Sequence, residues 1–132
     1  MFEVDVEKKD DVPSRIAIRD ETHKLKGYYS IDFKKIANNT FLVKGVINSR
    51  ESDKGVVRKL IESLGQTLQQ YQNDKGVILK QEINLTTYVS RLKLPKILEE
   101  YGYKLKSAEP ENILYTREFS KRTKPFFRNK YK

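Results

Sequence analysis

Cysteine and tryptophan are absent from these 132 residues, and methionine and histidine occur once each. Without cysteine there is no disulfide framework, no thiolate nucleophile and no Cys-ligated zinc, and a lone His23 cannot supply the imidazole cluster that metal sites usually need. No metal site is expected. Long apolar runs are missing as well: none approaches the roughly 20 residues that span a bilayer, and the N-terminal Met1-Phe-Glu-Val-Asp-Val-Glu7 is acidic where a signal peptide would be basic. A cytoplasmic protein without a membrane partner is expected. No Ser-His-Asp order, Walker loop or dinucleotide fingerprint is present. The acid pairs Asp10-Asp11 and Glu99-Glu100 are sequence neighbours, so they do not converge from separate elements as a glycosidase pair does. His23 lies in the polar connection Asp20-Glu-Thr-His-Lys and reads as a surface residue.

What is present in excess is positive charge. Lys and Arg number 27 against 18 Asp and Glu, a formal +9, while 37% hydrophobic content with eight Tyr and six Phe is enough for the core of one domain. The excess is uneven. Residues 117–132 carry seven bases and one acid, a local +6, which leaves +3 for the preceding 116 residues; the first 21 hold seven acids against four bases. In the terminal stretch Lys121, Arg122, Lys124, Arg128, Lys130 and Lys132 alternate with the rings of Phe126, Phe127 and Tyr131. That mixture suits single-stranded nucleic acid, because cations displace counterions from phosphates while bases stack on rings. An ordinary solvated terminus has the same composition. The expected organisation is one domain over 1–119 and a basic aromatic tail over 120–132. Lys24, Lys26, Lys34 and Lys35 form a second basic group, either a cationic face or a lysine-protected strand edge.

Periodicity predicts strands first and helices later. Phe2, Val4 and Val6 alternate with Glu3, Asp5 and Glu7, the period of a half-buried strand. Further strands are expected at 15–19, at 27–33 with Tyr29, Ile31 and Phe33 on one face, and at 40–47, whose continuous apolar run predicts a central strand buried on both faces. Val56, Val57, Leu60, Ile61, Leu64, Leu68 and Tyr71 recur at helical spacing and predict a helix over about 53–72, with Ser52 or Asp53 as cap. A strand over 76–85 follows. A second helix runs from the Thr86-Thr87 cap to Tyr101, with Pro95 expected to kink or restart it and Gly102 to stop it. A hairpin over 103–107 and 112–119 completes the chain.

This order resembles the GCN5-related N-acetyltransferase (GNAT) family over residues 15–119. Two stretches carry the resemblance. Phe41-Leu-Val-Lys-Gly-Val-Ile47 leads into Arg50-Glu-Ser-Asp-Lys-Gly55-Val56, which is similar to the family's Arg/Gln-x-x-Gly-x-Gly/Ala loop at a helix N-terminus; Ile97-Leu-Glu-Glu-Tyr-Gly102-Tyr103 is similar to its Leu-Tyr-x-x-x-Gly-Phe ending. The resemblance implies an α+β fold, a mostly antiparallel mixed sheet with two main helices in the order β-β-β-β-α-β-α-β-β. It implies acetyl-CoA as cofactor, its pyrophosphate held by Arg50, Asp53, Lys54, Gly55 and Val56, with Arg58 adding charge. It departs at two places. Asp53 puts a carboxylate where the family has its first glycine, either crowding a diphosphate or capping the helix, and Leu98 stands where the family commonly has the tyrosine that protonates the leaving thiolate. Tyr88, Tyr101 and Asn84 are the remaining candidates for assisting transfer, and Glu82 or Asp32 for taking a proton.

Three functions fit. The first is a GNAT-like domain with altered or lost acetyl transfer that binds nucleic acid or a nucleoprotein complex, with no cofactor. The second is an active acetyl-CoA-dependent N-acetyltransferase. The third is a small interaction or inhibitor protein of the kind phages encode.

Overall fold

Residues 2–49, 54–85, 88–109 and 112–119 are described by the computed structural model of the chain. Alternating apolar and charged residues build the first four strands, Glu3–Lys9 (β1), Val12–Arg19 (β2), Leu25–Ala37 (β3) and Thr40–Ser49 (β4), which pair in sequence order as an antiparallel meander. The β1–β2 turn is Asp10-Asp11, with φ of 53° and 65°. Positive φ at both central residues is the geometry that matches the twist of a two-residue hairpin, and aspartate tolerates it better than most side chains.

After β4 the chain forms helix α1 (Lys54–Lys75), strand β5 (Ile78–Leu85), helix α2 (Tyr88–Glu100) and the hairpin β6 (Lys104–Glu109) and β7 (Asn112–Glu118). The sheet order is β1-β2-β3-β4-β5-β7-β6, and only the β4–β5 pair, joined across α1, is parallel. The α+β class, the mostly antiparallel sheet and the element order are those expected.

Both helices lie on one face of the sheet. Leu60, Ile61, Leu64 and Leu68 of α1 and Leu94, Ile97 and Leu98 of α2 share a buried cluster with Ile16, Ile18, Tyr29, Val43, Leu79, Ile83 and Tyr115, which strand alternation places on that same side. Burying each such aliphatic side chain contributes about 1.5–3 kcal/mol. The other face carries no helix among the described residues. Here the structure corrects an expectation: β4 is buried on its helix side through Val43, but on the bare side Lys44 is exposed and Val46 keeps 47% of its surface.

Helix α2 runs through Pro95 as a single element. An interior proline costs roughly 3 kcal/mol, yet Leu94, Ile97 and Leu98, which flank it, are all buried in the one core and together outweigh that cost. Gly102, at φ 86°, ends the helix. Its N–H donates to Glu99 O and that of Tyr103 to Leu98 O, the paired bonds of a Schellman stop. Gln72 fastens the far end of α1: its Oε1 accepts from Leu79 N at 2.8 Å and its Nε2 donates to Phe119 O at 3.3 Å.

Candidate functional site where the parallel strands part

The parallel pairing of β4 with β5 stops at Gly45 opposite Ile83. Beyond it, β4 continues to Ser49 paired only with β3, while Asn84 and Leu85 of β5 pair only with β7. The two strands therefore open a wedge in the sheet. Helix α1 begins five residues after Ser49 and α2 begins three residues after Leu85, so both helix N-termini, with their positive dipole ends, sit at the wedge's mouth. Such an arrangement favours an anionic group there.

The floor of the wedge is set by a glycine. A Cβ on Gly45 would run into the ring of Tyr29 and the carbonyl of Ser30; its absence lets the Tyr29 ring cross β4, so that its hydroxyl donates to the Glu82 carbonyl on β5 at 3.4 Å. Below, Gln81 is wholly buried and accepts the Tyr103 hydroxyl at 2.5 Å. Burial raises both tyrosine hydroxyls far above their ordinary value. Tyr29 and Tyr103 thus stay protonated and serve as donors, not bases.

On the bare side of the wedge, Glu82 and the half-buried Asn84 lie two residues apart on one strand face. The Glu82 carboxylate, 13% exposed, takes Lys106 Nζ at 3.1 Å. Asp32 is exposed on the same face, across from Lys44.

The same architecture recurs in solved acetyltransferase structures. The ribosomal-protein-S5-alanine acetyltransferase from Vibrio fischeri superposes with a TM-score of 0.58 at 16% identity, over 84% of this chain and 63% of its own. A GNAT-family acetyltransferase from Streptococcus pneumoniae gives 0.56 at 13%, over 80% and 66%. The N-terminal domain of a ribosomal-protein-alanine acetyltransferase from Clostridium acetobutylicum gives 0.54 at 14%, over 88% and 91%. The chain has the GNAT fold. It spans less than two thirds of the length of the first two of these proteins. No family model and no curated protein matches it by sequence.

Within the GNAT fold the expected site residues scatter. Gly55 is exposed in the first turn of α1, but Val56 is fully buried in the core. Arg50 and Asp53 lie outside the described residues, as do the side chains of Lys54 and Tyr88 and the whole of the tail from Lys121 to Lys132. Arg58 is held by Glu100 of α2, Nη2 to Oε1 at 2.9 Å and Nε to Oε2 at 3.2 Å. This pairing raises the guanidinium above its ordinary value and outweighs the opposing desolvation. Tyr101 is buried and donates its hydroxyl to Glu62 of α1 at 3.2 Å. Leu98 is fully buried. Arg58, Glu62, Glu100 and Tyr101 accordingly make the seam between the two helices, and Asn84 and Glu82 alone of the named acid–base candidates lie on described side chains beside the wedge.

Two residues important to the site's frame were not singled out from sequence. Arg117 of β7 hydrogen bonds through Nη1 to the carbonyl of Tyr101, stacking within 5.7 Å of Tyr103 and 5.6 Å of Phe119, and so places a cation at the C-terminal end of α2. Gly45 is the other; a glycine inside an apolar strand is the signal that could have found it.

Proposed function

We propose that this GNAT-fold chain has altered or lost acetyl transfer and binds nucleic acid or a nucleoprotein complex through the cationic, aromatic segment from Lys121 to Lys132. The observation that carries the first half is the state of α2: Leu98 is packed in the core and Tyr101 spends its hydroxyl on Glu62, so the helix end where a thiolate would be protonated presents an apolar side chain and an occupied phenol. Arg58 is committed to Glu100 in the same seam. Asp53 adds a negative charge at the loop before α1. For the second half the support is compositional, six cations interleaved with three rings. Fluorescence anisotropy with single-stranded DNA and RNA at several salt concentrations tests it. Binding that weakens steeply with salt, and weakens further when Lys121, Arg122 and Lys124 are changed to Gln, is the expected result; no binding, or binding indifferent to those changes, overturns it.

The wedge favours a second reading, an active acetyl-CoA-dependent N-acetyltransferase. The fit is partial: backbone N–H groups of Lys54, Gly55 and Val56 at the start of α1 would hold the diphosphate, while Asp53 opposes it. Acetyl-CoA would supply the acyl group. Glu82, half-buried beside the opening, would take the proton of an amine acceptor, with Asn84 orienting it. Acetylation of amine substrates that is lost in Glu82→Gln with cofactor affinity unchanged would establish this reading over the first.

A further inference from the structure

Strand β1 closes one end of the sheet, and among the described residues it pairs with β2 alone. An edge strand offers a row of backbone donors and acceptors to any added strand. Charge and bulges are the usual devices that blunt such an edge; here the pairing with β2 is regular from Glu3 to Glu7, the bulge comes only after it, and the charge along that regular stretch is all acidic, so the edge selects a basic strand rather than refusing every strand.

The two sides of that edge differ in chemistry. On the bare face Glu3, Asp5 and Glu7 stand in a column, and although each contacts a nitrogen of the next turn or strand (His23 Nδ1 at 3.2 Å, Arg19 Nε at 2.9 Å and Arg15 Nε at 2.6 Å), their side chains remain 57%, 51% and 48% exposed. A carboxylate that accepts from one donor retains acceptor sites for another. On the helix face Val6, 39% exposed, lines a groove of about 490 Å³ between β1 and α1, with Gln66, Gln70 and Tyr71 across from it and the Lys75–Asp11 ion pair at the end nearest the β1–β2 turn. A strand laid against β1 would direct alternate side chains into the groove and onto the acid column. The fitting ligand therefore alternates: bases two residues apart, with rings or amides between them.

The chain carries such a segment itself. In Phe127-Arg-Asn-Lys-Tyr-Lys132 the bases Arg128, Lys130 and Lys132 recur at period two, and Phe127, Asn129 and Tyr131 fill the intervening positions. Three bases match three acids at the same spacing. Reach decides which copy supplies it. From Phe119 at the end of β7 to a strand outside β1 is six strand spacings, about 29 Å, and the eight links from Phe119 to Phe127 extend to about 29 Å at most. A chain would have to be pulled fully taut beneath its own sheet, with no length left to turn onto the edge, whereas a second copy meets no such limit. We infer that residues 127–132 of a second copy dock as an added strand on β1, with the bases over Glu3, Asp5 and Glu7 and the rings in the groove beside α1. Docking uses the same cations assigned above to nucleic acid, so the two uses exclude each other, but it stands on the edge and the groove whether or not nucleic acid binds.

The test uses the full chain without nucleic acid. Sedimentation velocity at low salt should give concentration-dependent self-association that the triple change Arg128→Glu, Lys130→Glu, Lys132→Glu abolishes with the thermal transition unchanged. That variant, its own tail disabled, should then bind a labelled peptide of residues 120–132, and adding Glu3→Gln, Asp5→Asn and Glu7→Gln should weaken the peptide about tenfold or more, as expected for three cross-strand charge pairs. A monomer at every concentration that still binds the peptide overturns the second copy as occupant and assigns the edge to the chain's own tail. Failure to bind the peptide, or binding insensitive to the three acid changes, overturns the docking site, while anisotropy with DNA and RNA separately decides the nucleic-acid reading.

Discussion

The two faces of one sheet behave as different materials. The helix-covered face is mainly apolar from Ile16 on β2 to Tyr115 on β7, and its central side chains are buried completely or nearly so. The bare face, built from the alternate residues of the same strands, is a lattice of exposed ion pairs: Arg15 with Glu7, Arg19 with Asp5, Lys80 with Glu118, Lys106 with Glu82. Stability resides on the first and variable chemistry on the second, since exposed pairs contribute only about 0–1 kcal/mol each against about 1.5–3 kcal/mol for a buried aliphatic. The wedge between β4 and β5 is where the two faces communicate.

Substitutions can break that contrast in order of size. Leu64→Ala, which empties a fully buried site on α1, should cost about 2–5 kcal/mol, read as a fall in the denaturant midpoint at unchanged slope. Gly45→Ala comes next. Its methyl would enter the Tyr29 ring and the Ser30 carbonyl, an overpacking of about 1–3 kcal/mol, and the accompanying loss of the Tyr29–Glu82 hydrogen bond should appear as faster amide exchange at the end of β5. Arg58→Ala, in the helix seam, should cost no more than about 1 kcal/mol because both partners are partly exposed. Lys80→Ala on the bare face should stay within about 0.5 kcal/mol of the parent; a cost as large as that of Leu64→Ala would erase the distinction between faces.

The smallest effect is one of pH. The Asp20 carboxyl is held below its ordinary value, chiefly by the Thr22 hydroxyl and also by the N–H groups of Thr22 and Lys24, whose bonds outweigh the opposing desolvation. A group depressed in the folded state adds stability above its unfolded value, near 3.8, and that contribution is lost as pH falls through the lower folded value. Asp20→Ala should therefore flatten the acid limb of the stability curve below about pH 4 while leaving the curve's shape near neutrality unchanged.

Periodicity made much of this fold legible. The α1 repeat, the alternation of β1 and the glycine stop of α2 are local patterns, and local patterns survive folding. Burial of β4 on one side was not legible, because an apolar run cannot report that both helices pack on the same face. Nor could Pro95 reveal that the core on either side of it would hold α2 together. Gln72, Gln81 and Arg117 escaped notice for a related reason: each is a polar residue whose partner lies far along the chain, Phe119 for Gln72, Tyr103 for Gln81 and Tyr101 for Arg117. At the site, Asn84 and Glu82 sit beside the wedge, but nothing in the sequence distinguished Tyr101 at a helix seam from Tyr101 at a reaction centre.

Isothermal titration of the full chain with acetyl-CoA tests the central claim most directly. Altered or lost transfer, with Asp53 before α1, Arg58 committed to Glu100 and Leu98 in the core, predicts no saturable heat up to millimolar cofactor and a gain of binding in Asp53→Gly. A saturable site of micromolar strength in the unaltered chain would contradict it.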